Sequence, residues 1–171
     1  MVLPKSVIMK GMDMKKAMIP GTFDPVTKGH LDVIERCSRL FDEVYVVIMK
    51  NAAKKPLFSE EERIEMIEKE TSHLKNVKVL AGNGLTIHMA KKLGVNAMVR
   101  GIRATSDYEY EVSIGTANMM LEKEIETLFL LSKPEYSFVS SSTVKEIAMH
   151  HGNLSCFVSK YVEEKLEEKF L

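Results

Sequence analysis

The sequence predicts an α/β protein built on a doubly wound, five-stranded parallel sheet, and three observations predict it. From Met14 onward, five short apolar runs alternate with amphipathic stretches, the rhythm of strands joined by crossover helices. The runs are continuously apolar, as strands covered on both faces are. Helix start and stop signals fall between the runs, where the crossovers have to lie.

The runs are Ala17-Met18-Ile19, 44–49, 77–80, 97–99 and 127–131. Between the first two, Leu31, Ile34 and Cys37, with Val33 and Leu40 on the adjoining stripe, predict an amphipathic helix over 28–40. Ser59 and Glu62 form a capping box, which opens a helix over 60–71 with Ile64 and Ile67 as its core stripe. A third helix over 85–93 stops at Gly94. The stretch 107–122 is helical in pattern but has several apolar faces, which predicts a bend or burial against a neighbour, with Met119 and Met120 in the core. Ser140-Ser141-Ser142 opens a helix ending near Gly152, and 158–169 is a charged closing helix. Residues 1–13 show no period and read as a disordered extension, leaving one domain over 14–171.

Composition bounds the partners. Lys plus Arg equals Asp plus Glu at 24 each. That balance argues against a nucleic-acid binder, whose footprint is a basic excess. A small anion needs only a few local cations. Cys37 and Cys156 lie far apart with no zinc-ligand spacing, and two scattered thiols suit a reducing cytoplasm. No apolar run approaches the ~18 residues of a membrane span, so no membrane partner is expected.

In open α/β sheets ligands bind beyond the carboxyl ends of the strands, where strand order reverses. Three unusual stretches fall there. Residues 20–30, PGTFDPVTKGH, join the first strand to the first helix. Gly21 permits a turn, Gly29 leaves a bare surface in the first helical turn, and the helix start offers N–H donors to an anion. His30 and Thr22 stand on the same corner. The loop is not a Walker A sequence, since Val26 occupies the position of the second glycine, and it is not G-x-G-x-x-G. A nicotinamide dehydrogenase is therefore disfavoured. An isolated His30 would read as a capping or surface histidine.

The second stretch, 98–111, places Arg100 and Arg103 directly after a buried strand. Arginine there needs an anion or a carboxylate beside it. Either a bound phosphate or an ion pair with Asp107, Glu109 or Glu111 satisfies that need. The third, 136–142, ends in three serines ahead of a helix, although one serine suffices for a cap. A lysine pair, Lys54-Lys55, follows the second strand and read alone is a solvated loop. His150 and His151 suit a helix end, and His73 and His88 have no partner spacing.

Thr27-Lys28-Gly29-His30 resembles the (H/T)-x-G-H loop of the nucleotidyltransferase superfamily, and 100–111 and 136–142 resemble segments of the bacterial phosphopantetheine adenylyltransferases. Tyr136 stands where that family has Trp, and Val139 where it has Ile. The resemblance spans about 14–170 and implies a Rossmann-like nucleotidyltransferase fold. It implies transfer of the adenylyl group of ATP to 4'-phosphopantetheine by direct in-line attack, giving dephospho-coenzyme A and pyrophosphate. Such a reaction requires positioning and charge neutralisation more than a general base, because a phosphate monoester is largely dianionic above its second pKa of about 6.

By the same resemblance, His30, Lys54 and Arg103 would be catalytic. Thr22, Phe23, His30, Gly101, Ile102, Arg103 and Glu111 would contact ATP, together with Tyr136, Ser137, Phe138, Val139, Ser140, Ser141 and Ser142. Thr22, Lys54, Thr86 and Arg100 would bind the acceptor, with Lys55 an alternative to Lys54. Mg²⁺ would enter with ATP, held by phosphates and water. Coenzyme A and its dephospho form would be further ligands, and the assembly a homohexamer. The rival expectations are another superfamily transferase, acting on nicotinate mononucleotide or a CTP-linked alcohol phosphate, and a nucleotide sensor without catalysis.

Overall fold

The computed structural model describes residues 14–50 and 55–171. The N-terminal extension and Lys54 lie outside the described residues. In chain order the elements are β1 (Lys16–Gly21), α1 (Lys28–Leu40), β2 (Glu43–Met49), α2 (Glu60–Thr71), β3 (Val77–Gly82), α3 (Thr86–Leu93), β4 (Ala97–Ile102), α4 (Thr105–Leu121), β5 (Glu126–Leu131), a short 3-10 turn (Pro134–Tyr136), α5 (Ser141–Met149) and α6 (Lys160–Phe170).

The five strands form one sheet in the order β3-β2-β1-β4-β5, and every neighbouring pair is parallel. This is the expected doubly wound α/β fold. Strand order reverses at β1, and its two seams differ. β1 pairs with β2 along its whole length, from Lys16↔Glu43 to Gly21↔Ile48. Its pairing with β4 stops after Ala17↔Ala97 and Met18↔Met98. Beyond Met18 the two strands separate, which opens a crevice at their carboxyl ends.

Both faces of the sheet are covered. On one, Val46 and Val99 pack with Ile34 and Cys37 of α1, Ile67 of α2, Val144 of α5 and Leu166 of α6. On the other, Met18, Val47 and Met98 pack with Ile87 and Ala90 of α3. The Ser59–Glu62 capping box forms with both reciprocal hydrogen bonds, and Gly94 caps α3 in the left-handed conformation at φ 62°.

Some expectations are corrected. Only the inner strands are buried on both faces; β3 and β5 are sheet edges and remain half-exposed. Leu40 ends α1 and is exposed, while Asp32 takes an inward place on that helix. The stretch expected over 107–122 is the uninterrupted 17-residue helix Thr105–Leu121, with Glu122 as its C-cap. Met119 and Met120, in the last turn of α4, are exposed at 51% and 77% rather than in the core. His73 does have a partner, with Glu35 at 3.5 Å.

Candidate active site

The crevice between β1 and β4 is a cavity of about 720 Å³. Its first wall is the loop from Gly21 to His30. Phe23 adopts a positive φ of 48° and turns its ring back into the core, where it is 3% exposed. A Cβ on Gly21 would stand 2.8 Å from that ring. Gly21, expected to permit a turn, also makes room for the Phe23 ring. Gly29 likewise lies against Tyr136, whose Cβ would be 3.6 Å from an added methyl.

Thr27 caps α1 through a capping box in which a histidine replaces the usual Glu or Gln. The Thr27 N–H donates to His30 Nδ1 at 3.1 Å, and the His30 N–H donates to Thr27 Oγ1 at 3.4 Å. Lys28 N–H donates to Phe157 O at 2.9 Å. The helix start thus spends donors internally that the sequence reading left open for an anion. What it gains is a fixed imidazole. Since Nδ1 accepts an N–H, the proton sits on Nε2, and the ring stands edge-on to Phe23 at 5.0 Å. Burial, then the nearby charges of Arg103 and Arg100, push the His30 pKa down to about 4. His30 is a neutral donor at physiological pH.

The opposite wall is β4 and the first turns of α4. Arg100 donates through Nε and Nη2 to the Glu111 carboxylate at 2.7 and 2.6 Å, and through Nη1 to Pro20 O at 2.8 Å. That last bond bridges the parted strands. Arg103 donates through Nε and Nη2 to Asp107 at 2.9 and 3.1 Å, and through Nη1 to Val139 O at 2.9 Å. Both arginines line the cavity and are paired with carboxylates of α4, which is the ion-pair reading of this stretch.

The third wall is the start of α5. Ser140 is the helix cap, accepting from Thr143 N–H at 3.0 Å, and Ser141 donates to Pro25 O at 2.8 Å. Ser142 and Val139 also line the cavity, as do Thr86, Gly101 and Glu111. Four residues assigned to ATP by resemblance do not. Ile102 is buried in the core, Tyr136 lines a separate small cavity beside α1, Ser137 bonds back to Pro134, and Phe138 is exposed and edge-on to Phe157.

The sequence reading missed three groups. Asp24, 4% exposed, accepts from Leu57 N–H at 3.0 Å and Phe58 N–H at 2.9 Å, and from Lys145 Nζ at 2.7 Å. It ties the first loop to the segment before α2 and to α5. Burial pushes its carboxyl up, but Lys145 and the two amides outweigh burial and hold it below its ordinary value. Arg63, also buried, donates to Thr22 O at 2.8 Å. Lys145 lines the cavity. A pairing across 121 positions leaves no local trace in a sequence, although Lys145 lies one helical turn beyond the serines.

Residues 18–147 match the sequence profile of the cytidylyltransferase-like family. The chain belongs to that family. The cytidylyltransferase-like fold recurs in a protein from Vibrio parahaemolyticus described as a nicotinate-nucleotide adenylyltransferase, at TM-score 0.67 and 17% identity over 92% of this chain and 95% of that one. It recurs also in a lipopolysaccharide core biosynthesis protein from Thermoplasma volcanium, at TM-score 0.54 and 21% identity over 70% of this chain and 98% of that one. At these identities the likeness shows the shared Rossmann-like nucleotidyltransferase fold. No helix of the described residues is long and apolar enough to cross a membrane.

Proposed function

We propose that this cytidylyltransferase-like protein transfers the adenylyl group of ATP to 4'-phosphopantetheine, releasing pyrophosphate and dephospho-coenzyme A. The observation that carries the choice of acceptor is the lining of the cavity. Besides the loops already described, it includes Met98 of β4, Ile114, Gly115 and Asn118 of α4, and Thr127 of β5. Apolar walls with a few amide and hydroxyl groups suit an extended chain of methylenes and amides. Thr127 Oγ1 is buried and has no hydrogen-bond partner among the described residues, which favours a polar ligand atom beside it.

An oxygen of the acceptor phosphate attacks the α-phosphorus of ATP. The new bond is a phosphoanhydride, and the bond to the β-phosphate breaks with its electron pair leaving on pyrophosphate. No proton has to be removed from a dianionic nucleophile. Transfer then depends on alignment and on donors aimed at the developing charge. His30 Nε2–H and Arg103 are the donors in this reading, with Lys54 in the role the resemblance gives it. Thr22, Thr86 and Arg100 orient the acceptor, and Glu111, Ser141 and Ser142 meet the nucleotide. The cavity carboxylates Asp24, Asp107 and Glu111 are each engaged by a cation. They are poorly suited to cage a metal, so magnesium enters as part of Mg-ATP.

The same proposal includes a cytoplasmic homohexamer. Its apolar contact would use the exposed end of α4 at Met119, Met120 and Leu121, and Leu131 at the sheet edge.

Narrowing the cavity at α4 tests the acceptor. Ile114→Trp is expected to raise the KM for 4'-phosphopantetheine about tenfold and leave the KM for ATP near its starting value. An unchanged acceptor KM in the folded variant would contradict the assignment.

A further inference from the structure

Three of the five N–H donors of the Arg103 guanidinium are engaged within the protein. Asp107 fills the Nε/Nη2 edge at 2.9 and 3.1 Å. Nη1 donates to Val139 O at 2.9 Å. Val139 is 2% exposed and its carbonyl belongs to the backbone that leads into α5. Asp107, by contrast, is a side chain in the first turn of α4 and about a quarter exposed. Of the two acceptors, the carboxylate is the one that can swing away.

Asp107 sits in the cavity wall beside Arg103. Carboxylate and phosphate both match the planar fork of a guanidinium, so they compete for the same edge. We propose that Asp107 is an internal competitor for the phosphate position at Arg103, occupying the arginine between turnovers and being displaced when a phosphate binds. This rests on the reading that the cavity binds the phosphates of a nucleotide. Its consequence is a weaker hold on phosphate than the naked arginine would have, and a defined resting place for Arg103 when pyrophosphate departs.

The alternative role for Asp107 is to hold Arg103 in its binding pose, and the two roles have opposite signs. Asp107→Asn keeps a side-chain oxygen for the Arg103 N–H, which now donates to it at 3.2 Å, and removes the charge. Competition predicts that this variant binds inorganic pyrophosphate about fivefold more tightly than wild type by calorimetry, the scale of one partly exposed ion pair. The gain has to vanish in the Arg103→Ala background, since without the arginine there is nothing to compete for. Glu109→Gln, on the exposed face of the same helix, controls for the change in net charge, and thermal unfolding of each variant verifies the fold.

Tighter binding in Asp107→Asn that disappears with Arg103→Ala supports the competitor. Weaker or unchanged binding overturns it. A gain that persists without Arg103, or is matched by Glu109→Gln, also overturns it, because long-range charge alone would account for it. If wild type binds neither pyrophosphate nor ATP, the nucleotide reading of the cavity fails first and the competitor fails with it.

Discussion

The backbone N–H of Thr27 donates to His30 Nδ1 at 3.1 Å, with Thr27 Oγ1 3.0 Å from the same nitrogen, and the bond from the N–H determines which ring nitrogen carries the proton. It leaves Nε2–H as the donor and makes the histidine part of the cap that starts α1. The local signal for helix initiation and the proposed donor to phosphate therefore lie in the same four residues.

His30→Ala is expected to lower turnover by about 10² or more, as loss of one well-placed transition-state donor does. Steady-state rates on variant protein whose circular dichroism matches wild type check this. Unchanged turnover would remove His30 from the reaction.

Thr27→Val removes the capping hydroxyl and keeps the N–H that meets Nδ1. It is expected to cost about 1 kcal/mol of stability by denaturant titration and to reduce turnover far less than His30→Ala. A loss equal to that of His30→Ala would mean that the hydroxyl itself takes part in transfer.

The depressed pKa of His30 fixes the sign of a pH effect. Folding favours the neutral ring, so between the unfolded value of 6.5 and the folded value of about 4 the unfolded chain binds the extra proton. The stability that His30 contributes is complete above 6.5 and is lost as pH falls towards 4. Melting temperatures across that window should decline in wild type and decline less in His30→Gln. Equal slopes would place the His30 pKa near its ordinary value. Activity should not show a histidine inflection above pH 5; its fall near pH 6 should follow protonation of the acceptor phosphate instead.

Gly21→Ala drives a methyl into the Phe23 ring at 2.8 Å. The ring is buried and rests against His30, so the variant is expected to lose about 1–3 kcal/mol and some turnover together. A variant as stable as wild type would show that the loop relaxes freely.

Met120→Glu is expected to shift sedimentation from the assembled species towards the monomer, because a charge would enter the proposed apolar contact. Unaltered sedimentation of an assembled protein would move that contact elsewhere.

The fold was readable because its signals are local. The inner strands are unbroken apolar runs, and Ser59, Glu62 and Gly94 each mark a helix end within one turn. Edge positions were not readable, since β3 and β5 look as apolar as their neighbours and only the strand order exposes them. At the site, the sequence points to residues near 22–30, 100–103 and 140–142, which the structure gathers around one cavity, but not to what each is bonded to. Gly21 reads as permitting a turn, and its contact with the buried Phe23 ring has no local signal. Asp24 is not singled out by the sequence reading and joins three segments through Lys145 and the amides of Leu57 and Phe58. The His30 capping box escaped notice because histidine is not the usual residue at its third position.

The central claim concerns adenylyl transfer to one acceptor. Pyrophosphate release from Mg-ATP, measured in parallel with 4'-phosphopantetheine, with nicotinate mononucleotide and with no acceptor, tests it most directly. The account predicts release with 4'-phosphopantetheine alone; release with the mononucleotide instead, or none with any acceptor, would contradict it.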